Sequence, residues 1–485
     1  MLVHELVFRG EADKVVFHGE VPVTYGTLQE KVERYRAYFY AQGVREGDNV
    51  GLFSRNSKEF VYGYMAIVGL GGVVVPLNFQ LSAREITYVL KDAEIKTLVT
   101  MHTLDLAEAL EQQGVDWEVK QLVIADIEEA IAGGEYTSVP VCDTIEEGHD
   151  CAIIYTSGTT GNPKGAVLTH KNLISNADAL DAVVFTTDVD NALCVLPMYH
   201  AFGWLCAVIN PLYNGASITI LDAFAPKETM QAIAAYEVTM MYGVPAIFNI
   251  LARSGDPELL KTVRTYVSGG ATLPETVAQR FYERFGVKLQ EGYGLSEASP
   301  VVTVNPPEKI KIGSIGTPLP GIEVKIEATD GEYSGHGVGE LLVKGPNVMR
   351  GYYHLPEATA QTLRDGWLHT GDIGYSDEEG YLFIVDRLKD MIITSGENVY
   401  PREIEELIYG YEGVLEAAVI GVDDKLRGQS VKAFIVVEAE KTVDVKALKQ
   451  YLTRNLALYK VPREIVVLDA LPKNQTGKIM KRMLS

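Results

Sequence analysis

Between residues 151 and 170 the chain reads CAIIYTSGTTGNPKGAVLTH. The apolar residues 152–155 read as one strand and 166–168 as another. Between them come Thr156, Ser157, Gly158, Thr159, Thr160 and Gly161, then Asn162, Pro163, Lys164 and Gly165. No other segment constrains the fold as much: a sheet has to deliver two buried strands to one end and leave hydroxyls, glycine backbone and one ammonium group there. That set suits the oxygens of a polyphosphate. A single TSG or TTG tripeptide would mark an ordinary surface turn. The Walker A pattern requires G-x-x-x-x-G-K-[ST]. Here Pro163 precedes Lys164, Gly165 follows it, and the loop runs into a strand instead of a helix, so it is not a P-loop.

Around this loop, strand and helix patterns alternate. Residues 25–42 are helical, with Leu28, Val32, Tyr35, Tyr38 and Phe39 near one face and Thr24 available as a cap. Strands are expected at 49–53, 72–76, 97–100 and 121–124, and helices at 57–70 and 83–92. This spacing predicts a layered α/β fold with parallel sheets. From 313 to 375 the pattern changes to short strands separated by glycine-rich turns, the signature of a small antiparallel barrel or sheet. The last stretch alternates again, with helices at 402–410 and 445–456 and strands at 416–421, 431–437 and 464–468. The fold class expected is thus α/β: a large N-terminal domain of layered α/β subdomains plus a small β-barrel-like subdomain, then a small, mobile α+β C-terminal domain. The boundaries expected are 1–386, with 313–375 as the β-rich part, a hinge at 387–390 in the charged run DRLKD, and 391–485.

A chain of 485 residues accommodates two to four domains at about 100–200 residues each. Its 43 basic and 65 acidic residues give a net charge of −22. That balance argues against broad nucleic-acid or anionic-membrane binding, which needs a basic face. Small anionic ligands need only a few local cations and remain compatible. Cys142, Cys151, Cys194 and Cys206 form no CxxC pair and read as buried free thiols in a reducing compartment. The N-terminus has early acidic residues and lacks the long apolar run of a signal peptide. The apolar stretch 65–77 is interrupted by three glycines and Pro76, short of the ~20 residues a membrane span needs. It reads as a buried helix ending near residue 70, then a strand. A soluble, cytoplasmic protein without stable membrane insertion is expected.

YTSGTTGNPKG resembles the signature of the adenylate-forming superfamily, which includes acyl-CoA synthetases, peptide-synthetase adenylation domains and firefly luciferase. Further segments recur in that superfamily's order along nearly the whole chain. LPMYHAFG, ending at Gly203, is similar to its PxxH segment. The resemblance places His200 near the acyl pocket and bound ATP, and makes Trp204 a candidate gate of an acyl tunnel. In SGGATL it assigns Gly269, Gly270 and Ala271 to the adenine site. In QEGYGLSEASP it assigns Gly292, Tyr293 and Gly294 to the nucleotide, with Tyr293 stacking on adenine. Ser296 offers a hydroxyl near the α-phosphate and Glu297 a hard oxygen for Mg²⁺. The superfamily has YGxTE where this chain has Ser296; the hydroxyl is kept. In WLHTGD the resemblance gives Asp372 to the ribose hydroxyls, with Arg387 beside it. Thr156, Ser157, Gly158, Thr159, Thr160 and Lys164 line the phosphates. Lys389 matches the hinge position, Gly396 the loop lining the pantetheine channel, and Lys478 in LPKNQTGKI the catalytic lysine.

The activity implied is ATP-dependent acid–CoA ligation, as in a bacterial fatty-acid–CoA ligase, with ATP, Mg²⁺ and coenzyme A and a small carboxylic acid as substrate. The carboxylate attacks the α-phosphate to give an acyl-adenylate. The small domain then turns about Lys389, and a thiol displaces AMP. Residues 201–206 include no acid to hold a substrate ammonium, which disfavours amino acids. Phe202, Trp204, Cys206, Gly292 and Ala298 form the expected acyl pocket and suit a medium- or long-chain fatty acid. The alternatives carried alongside are an aryl-acid–CoA ligase, a ligase loading a carrier-protein thiol, and a luciferase-like oxygenase. A homodimer is the one assembly carried as an expectation. Arg427, Lys432, Lys481 and Arg482 are the cations considered for the 3′-phosphate of coenzyme A.

Overall fold

The computed structural model describes the chain except for residues 140–143, 157–162, 334–335, 389, 395–396, 425, 440 and 474–478. A seven-stranded sheet runs, in spatial order, through Gly351–Tyr352, Lys164–Thr169, Asp150–Thr156, Val73–Pro76, Asn49–Phe53, Thr97–Thr100 and Lys120–Val123. The strands from Asp150–Thr156 to Lys120–Val123 are parallel, and the first two are antiparallel additions at the edge. Val73–Pro76 is buried at every position, as a parallel strand covered on both faces requires. Ahead of it comes the helix Lys58–Gly69, buried at every residue from Phe60 onward. The Ser57 hydroxyl accepts the Phe60 N–H at 3.1 Å to start it. The long apolar stretch is therefore a helix followed by a strand, and among the described residues no helix is long and apolar enough to cross a membrane.

A nine-stranded sheet lies alongside, ordered Thr317–Pro318, Val301–Val304, Gln290–Gly294, Thr265–Ser268, Met240–Gly243, Asn191–Cys194, Ser217–Ile220, Val15–His18 and Val23–Thr24. Its middle strands are parallel and its outer pairs antiparallel. One contiguous apolar core reaches from Val3 and Leu6 through Phe60 and Tyr64 to Trp204, Phe248 and Leu368. It joins the two sheets into one large body.

The β-rich segment is an antiparallel sheet of Glu323–Tyr333, His336–Lys344, Trp367–Ser376, Leu363–Arg364 and Leu382–Arg387. Among the described residues no pairing joins Glu323–Tyr333 to Leu382–Arg387, so the sheet is open and not a closed barrel. It also continues past residue 375. Asp386 and Arg387 read as part of a charged junction, yet both lie in its last strand. Their charge is tolerated because it is satisfied: the Asp386 carboxylate accepts N–H groups from Arg387 at 2.8 Å and Arg402 at 3.0 Å.

From Ile392 a fourth sheet begins, built on the long pair Val414–Asp424 and Gly428–Val437, with Glu464–Leu468 added in parallel. The helices Pro401–Tyr409 and Val445–Asn455 cover it through Ile404, Ile408, Leu448 and Leu452. This unit touches the large body through Arg402, through Tyr400 packed on Ile373 and Val385, and through Arg253, whose guanidinium lies 2.9 Å from the Glu438 carboxylate. Cys151, Cys194 and Cys206 are free and buried; Cys142 lies outside the described residues. Burial pushes the Cys151 and Cys194 thiols up to about 12 and Cys206 higher still, so all three are unreactive.

The N-terminus is anchored by a buried imidazole. The Val3 N–H donates to His170 Nδ1 at 3.0 Å, and burial drives His170 down to about 3, with His4 adding to the shift. A depressed folded-state value means that the unfolded chain binds this proton first. Stability from His170 is therefore complete above about pH 6.5 and is lost as pH falls toward 3, by up to ~1.4 kcal/mol per pH unit. Urea unfolding at pH 7 and pH 5 should show wild type losing about 1–2 kcal/mol more than His170→Asn between the two. Equal losses would contradict this.

Candidate active site

Thr156 and Lys164 face each other across the antiparallel pair Asp150–Thr156 and Lys164–Thr169. They form the base of the hydroxyl loop, and the Thr156 hydroxyl reaches the Lys164 carbonyl at 3.4 Å. Ser157, Gly158, Thr159 and Thr160 lie outside the described residues. The edge strand Gly351–Tyr352 pairs with Lys164–Thr169, Tyr352 standing opposite Ala166. Its neighbours tighten the pairing: the Arg350 N–H donates to the Val167 carbonyl at 3.0 Å and the Tyr353 N–H to the Gly165 carbonyl at 2.8 Å. The Lys164 ammonium lies 5.1 Å above the Tyr352 ring, within cation–π range.

Ser296 and Glu297 begin a single 3₁₀ turn, Ser296–Ala298, directly after the strand Gln290–Gly294. The turn is held from outside. The Met349 N–H donates to the Glu297 carbonyl at 2.8 Å, and Asn347 Nδ2 donates to the Ala298 carbonyl at 2.7 Å. The Glu297 side chain is half-buried, and its Oε1 accepts the Tyr352 hydroxyl at 2.9 Å. Gly294 permits this approach, since a Cβ there would stand 2.1 Å from the Pro300 carbonyl oxygen.

Three of the residues assigned to the nucleotide meet at one carboxylate. Asp372 and Arg387 are cross-strand partners, and the Arg387 Nε lies 3.0 Å from Asp372 Oδ1. The Tyr293 hydroxyl donates to Asp372 Oδ2 at 2.6 Å. Asp372 is 4% exposed, so its charge depends on these two donors. Asp372 in turn holds the Arg387 guanidinium more firmly protonated, and burial together with Asp372 keeps the Tyr293 phenol protonated. The part of the strand just before Asp372 is fixed by the Gly371 N–H on Glu340 Oε1 at 2.9 Å and by the Thr370 hydroxyl on the Leu341 carbonyl at 2.7 Å.

His200 caps the short helix Ala201–Trp204, its Nδ1 accepting the Phe202 N–H at 3.4 Å. With Leu196, Pro197, Phe202, Gly203, Val244 and Gly270 it lines an apolar cavity of about 10 Å³, room for about one water. Phe202 lies over Gly269, where a Cβ would stand 3.0 Å from its ring. Gly270 has φ +77°, a left-handed backbone that glycine adopts without strain. Trp204, Cys206 and Ala298 are buried in the core and are not among the cavity's lining residues. The Trp204 ring packs on Tyr64 at 4.2 Å and Phe60 at 5.5 Å. The space that Gly292 leaves open is filled by the Thr303 carbonyl, 3.1 Å from where a Cβ would be. Lys389, Gly396 and Lys478 lie outside the described residues. Of the cations considered for the 3′-phosphate, Lys432 lies 3.1 Å from Glu464 and half-buried Lys481 2.8 Å from Glu405.

Three site neighbours escaped the sequence reading: Tyr352, Glu340 and Glu291. Glu291 lies one residue before Gly292, and its buried carboxylate accepts the Leu273 N–H at 3.0 Å. Burial pushes it up to about 7, opposed by Arg402. It thereby ties the Gly269–Ala271 turn to the strand carrying Tyr293. Each of the three is a single polar side chain on a strand, a signal that sequence alone does not separate from surface polarity.

Comparison with known proteins is decisive at this point. A profile described as AMP-binding enzyme matches residues 5–353, and one described as AMP-binding enzyme C-terminal domain matches 403–478. The chain belongs to the AMP-binding enzyme family. It is 36% identical to a long-chain-fatty-acid–CoA ligase of Bacillus subtilis, over 97% of this chain and 90% of that one. It is 38% identical to a feruloyl-CoA synthase of an Amycolatopsis species, over 96% and 94%. Among solved structures, ATP-bound MatB from Rhodopseudomonas palustris superposes with a TM-score of 0.91 at 31% identity, over 100% of this chain and 98% of that one. The expected superfamily and two-part α/β architecture hold, and this family member is an ATP-dependent, AMP-forming acyl-CoA ligase.

Removing one donor from the buried Asp372 carboxylate leaves it under-satisfied. A hydrogen bond to a charged group contributes about 1.5–3 kcal/mol. Tyr293→Phe should therefore weaken AMP binding, read by calorimetry, by about tenfold or more. Unchanged affinity would remove this carboxylate from the nucleotide site.

Proposed function

We propose that the cleft between the Thr156–Lys164 hairpin, the Ser296–Glu297 turn and the Tyr293–Asp372–Arg387 cluster is the adenylation site, and that the acid activated there is a medium- or long-chain fatty acid. The observation carrying the site reading is that four separated motifs converge through direct contacts. Glu297 meets Tyr352 beneath Lys164, and Tyr293 and Arg387 meet on Asp372. Each Asp372 oxygen keeps acceptor capacity beyond its present bond, which suits a ribose diol. Lys164, together with the hydroxyl residues that precede it in sequence, neutralises phosphate oxygens. Lys478 lies between the acid and the α-phosphate during the first step and leaves with the small domain before the second. The hinge is at 387–390 around Lys389, supported by one sheet ending at Arg387 and the next beginning at Ile392. Gly396 then lines the pantetheine channel.

The donor set fits Mg²⁺ held through a nucleotide. Mg²⁺ is typically bound by one or two carboxylates together with phosphates and water, and Glu297 is such a carboxylate. Glu297 belongs to no group of three protein ligands among the described residues; the one such group is Glu327, Glu340 and His369. When bound, the ion offsets the charge on the phosphate oxygens as pyrophosphate leaves. The chain's own residues hold the ligands in line, and donors aimed at developing charge contribute about 3–4 kcal/mol each.

The carboxylate end of the acid lies by His200. Residues 201–206 carry no charged side chain, so the pocket offers nothing to an ammonium or a second carboxylate. Next to cavity-lining Gly203, Trp204 packs on two aromatic rings at the head of a π-helical turn, Leu205–Ile209. The cavity has room for about one water, so an acyl chain enters only when side chains beside it swing aside, and Trp204 is the gate candidate among them. A second reading, an aryl acid, is favoured by the small cavity lined by Phe202 and Gly270 and by the feruloyl-CoA synthase relative. The cytoplasm is the compartment proposed, in keeping with three buried free thiols.

The test is pyrophosphate release with ATP and Mg²⁺ across C2 to C16 acids, benzoate and ferulate, with and without coenzyme A, in wild type and Trp204→Ala. A fatty acid should turn over only with coenzyme A, and Trp204→Ala should shift the preferred length. Turnover of ferulate alone would replace the fatty-acid reading. An unchanged length profile would remove Trp204 as gate.

A further inference from the structure

Tyr352 lies in none of the recurring motifs, yet it touches both Glu297 and Lys164. Its hydroxyl donates to Glu297 Oε1 at 2.9 Å, and its ring lies 5.1 Å beneath the Lys164 ammonium. Little else at the site is held so firmly. The segment 349–353 is bonded to the Glu297 carbonyl through the Met349 N–H and to the Val167 and Gly165 carbonyls through Arg350 and Tyr353. The Tyr352 N–H itself donates to the Thr359 hydroxyl at 2.9 Å. Arg350 also pairs with Asp150 at 3.0 Å, at the start of the strand that leads into the hydroxyl loop. The side chain thus projects from a backbone clamped on both edges, while Glu297 stands on a single 3₁₀ turn and Lys164 at a hairpin base.

We infer that Tyr352 is the positioning residue of the metal–phosphate end of the site, fixing the Glu297 carboxylate through its hydroxyl and the Lys164 ammonium through its ring. The inference rests on the reading of Glu297 as the Mg²⁺ carboxylate and Lys164 as the phosphate cation, and goes beyond it by naming what orients them. An unpartnered glutamate samples several rotamers. Occupying one oxygen from a fixed phenol selects one of them and leaves the second oxygen for the ion. The two functions are chemically separable. Phenylalanine keeps the ring and loses the donor; leucine loses both.

The experiment measures Mn²⁺ uptake by electron paramagnetic resonance in the presence of non-hydrolysable α,β-methylene ATP, nucleotide affinity by calorimetry, and the two half-reactions separately. Tyr352→Phe should weaken Mn²⁺ uptake about tenfold, ~1.4 kcal/mol, with nucleotide affinity within about twofold. Its adenylation rate should recover at high Mg²⁺, and acyl transfer from a supplied acyl-adenylate should be unchanged. Tyr352→Leu should lose nucleotide affinity as well. Glu297→Gln is the control. If Glu297→Gln loses Mn²⁺ uptake while Tyr352→Phe retains it, the positioning role is overturned and the metal reading stands. If neither variant loses it, both are overturned. A slowed Tyr352→Phe that high Mg²⁺ does not rescue would mean general loss of packing, which also overturns the inference.

Discussion

A carboxylate 4% exposed is a liability unless it is fully bonded, and Asp372 is bonded from two directions that the chain reaches only through its whole architecture. Tyr293 arrives on the nine-stranded sheet, Arg387 on the last strand of the β-rich sheet, and Asp372 on the strand between Glu340 and the junction to the small domain. The charge is stable only while these elements keep their register. One carboxylate therefore links the strand Gln290–Gly294, the strand Trp367–Ser376 and the strand Leu382–Arg387. Arg402 extends the chain of contacts, because its N–H satisfies Asp386 next to Arg387 and its charge lowers buried Glu291. The Tyr293–Asp372–Arg387 cluster and the contacts of the small unit are thus neighbours along one strand.

Around this ionic centre the apolar frame supplies rigidity. The two large sheets share one core, and the helix Lys58–Gly69, whose Phe60 and Tyr64 receive Trp204, is buried along almost its whole length. Catalysis that relies on positioning needs such a frame, since little covalent chemistry is asked of the side chains. Lys164 and Arg387 are carried on the ends of strands and Glu297 on a short turn, where backbone geometry fixes them.

Much of this was legible in the sequence. The helix expected at 83–92 is Ala83–Asp92, because Ser82 and Glu85 form a reciprocal cap. The strand expected at 464–468 is Glu464–Leu468. Local chemistry decides such elements. The strand expected at 121–124 is Lys120–Val123, since Ile124 already opens the next helix. The pair read as 416–421 and 431–437 runs longer, because polar residues continue the pairing beyond the apolar runs, Asp423 and Asp424 opposite Gln429 and Gly428. Asp386 and Arg387 read as a linker for the same reason. Site residues within recurring motifs were legible, whereas Tyr352 was not: its partners Glu297 and Lys164 are remote in sequence, and only the pairing of Gly351–Tyr352 with Lys164–Thr169 brings them together. Trp204 was legible as a residue of the His200 segment, but spacing along a four-residue helix does not tell which neighbours its ring meets.

The central claim is that a carboxylate oxygen of the substrate attacks the α-phosphate, so that one oxygen of the acid ends in AMP after the thiol takes the acyl carbon. The most direct measurement uses acid labelled with ¹⁸O in both carboxyl oxygens, with ATP, Mg²⁺ and coenzyme A, and mass spectrometry of the AMP formed. The account predicts one ¹⁸O in each AMP and one retained in the thioester carbonyl. Unlabelled AMP would contradict it, because the acid would then have been activated without a bond between its oxygen and the α-phosphorus.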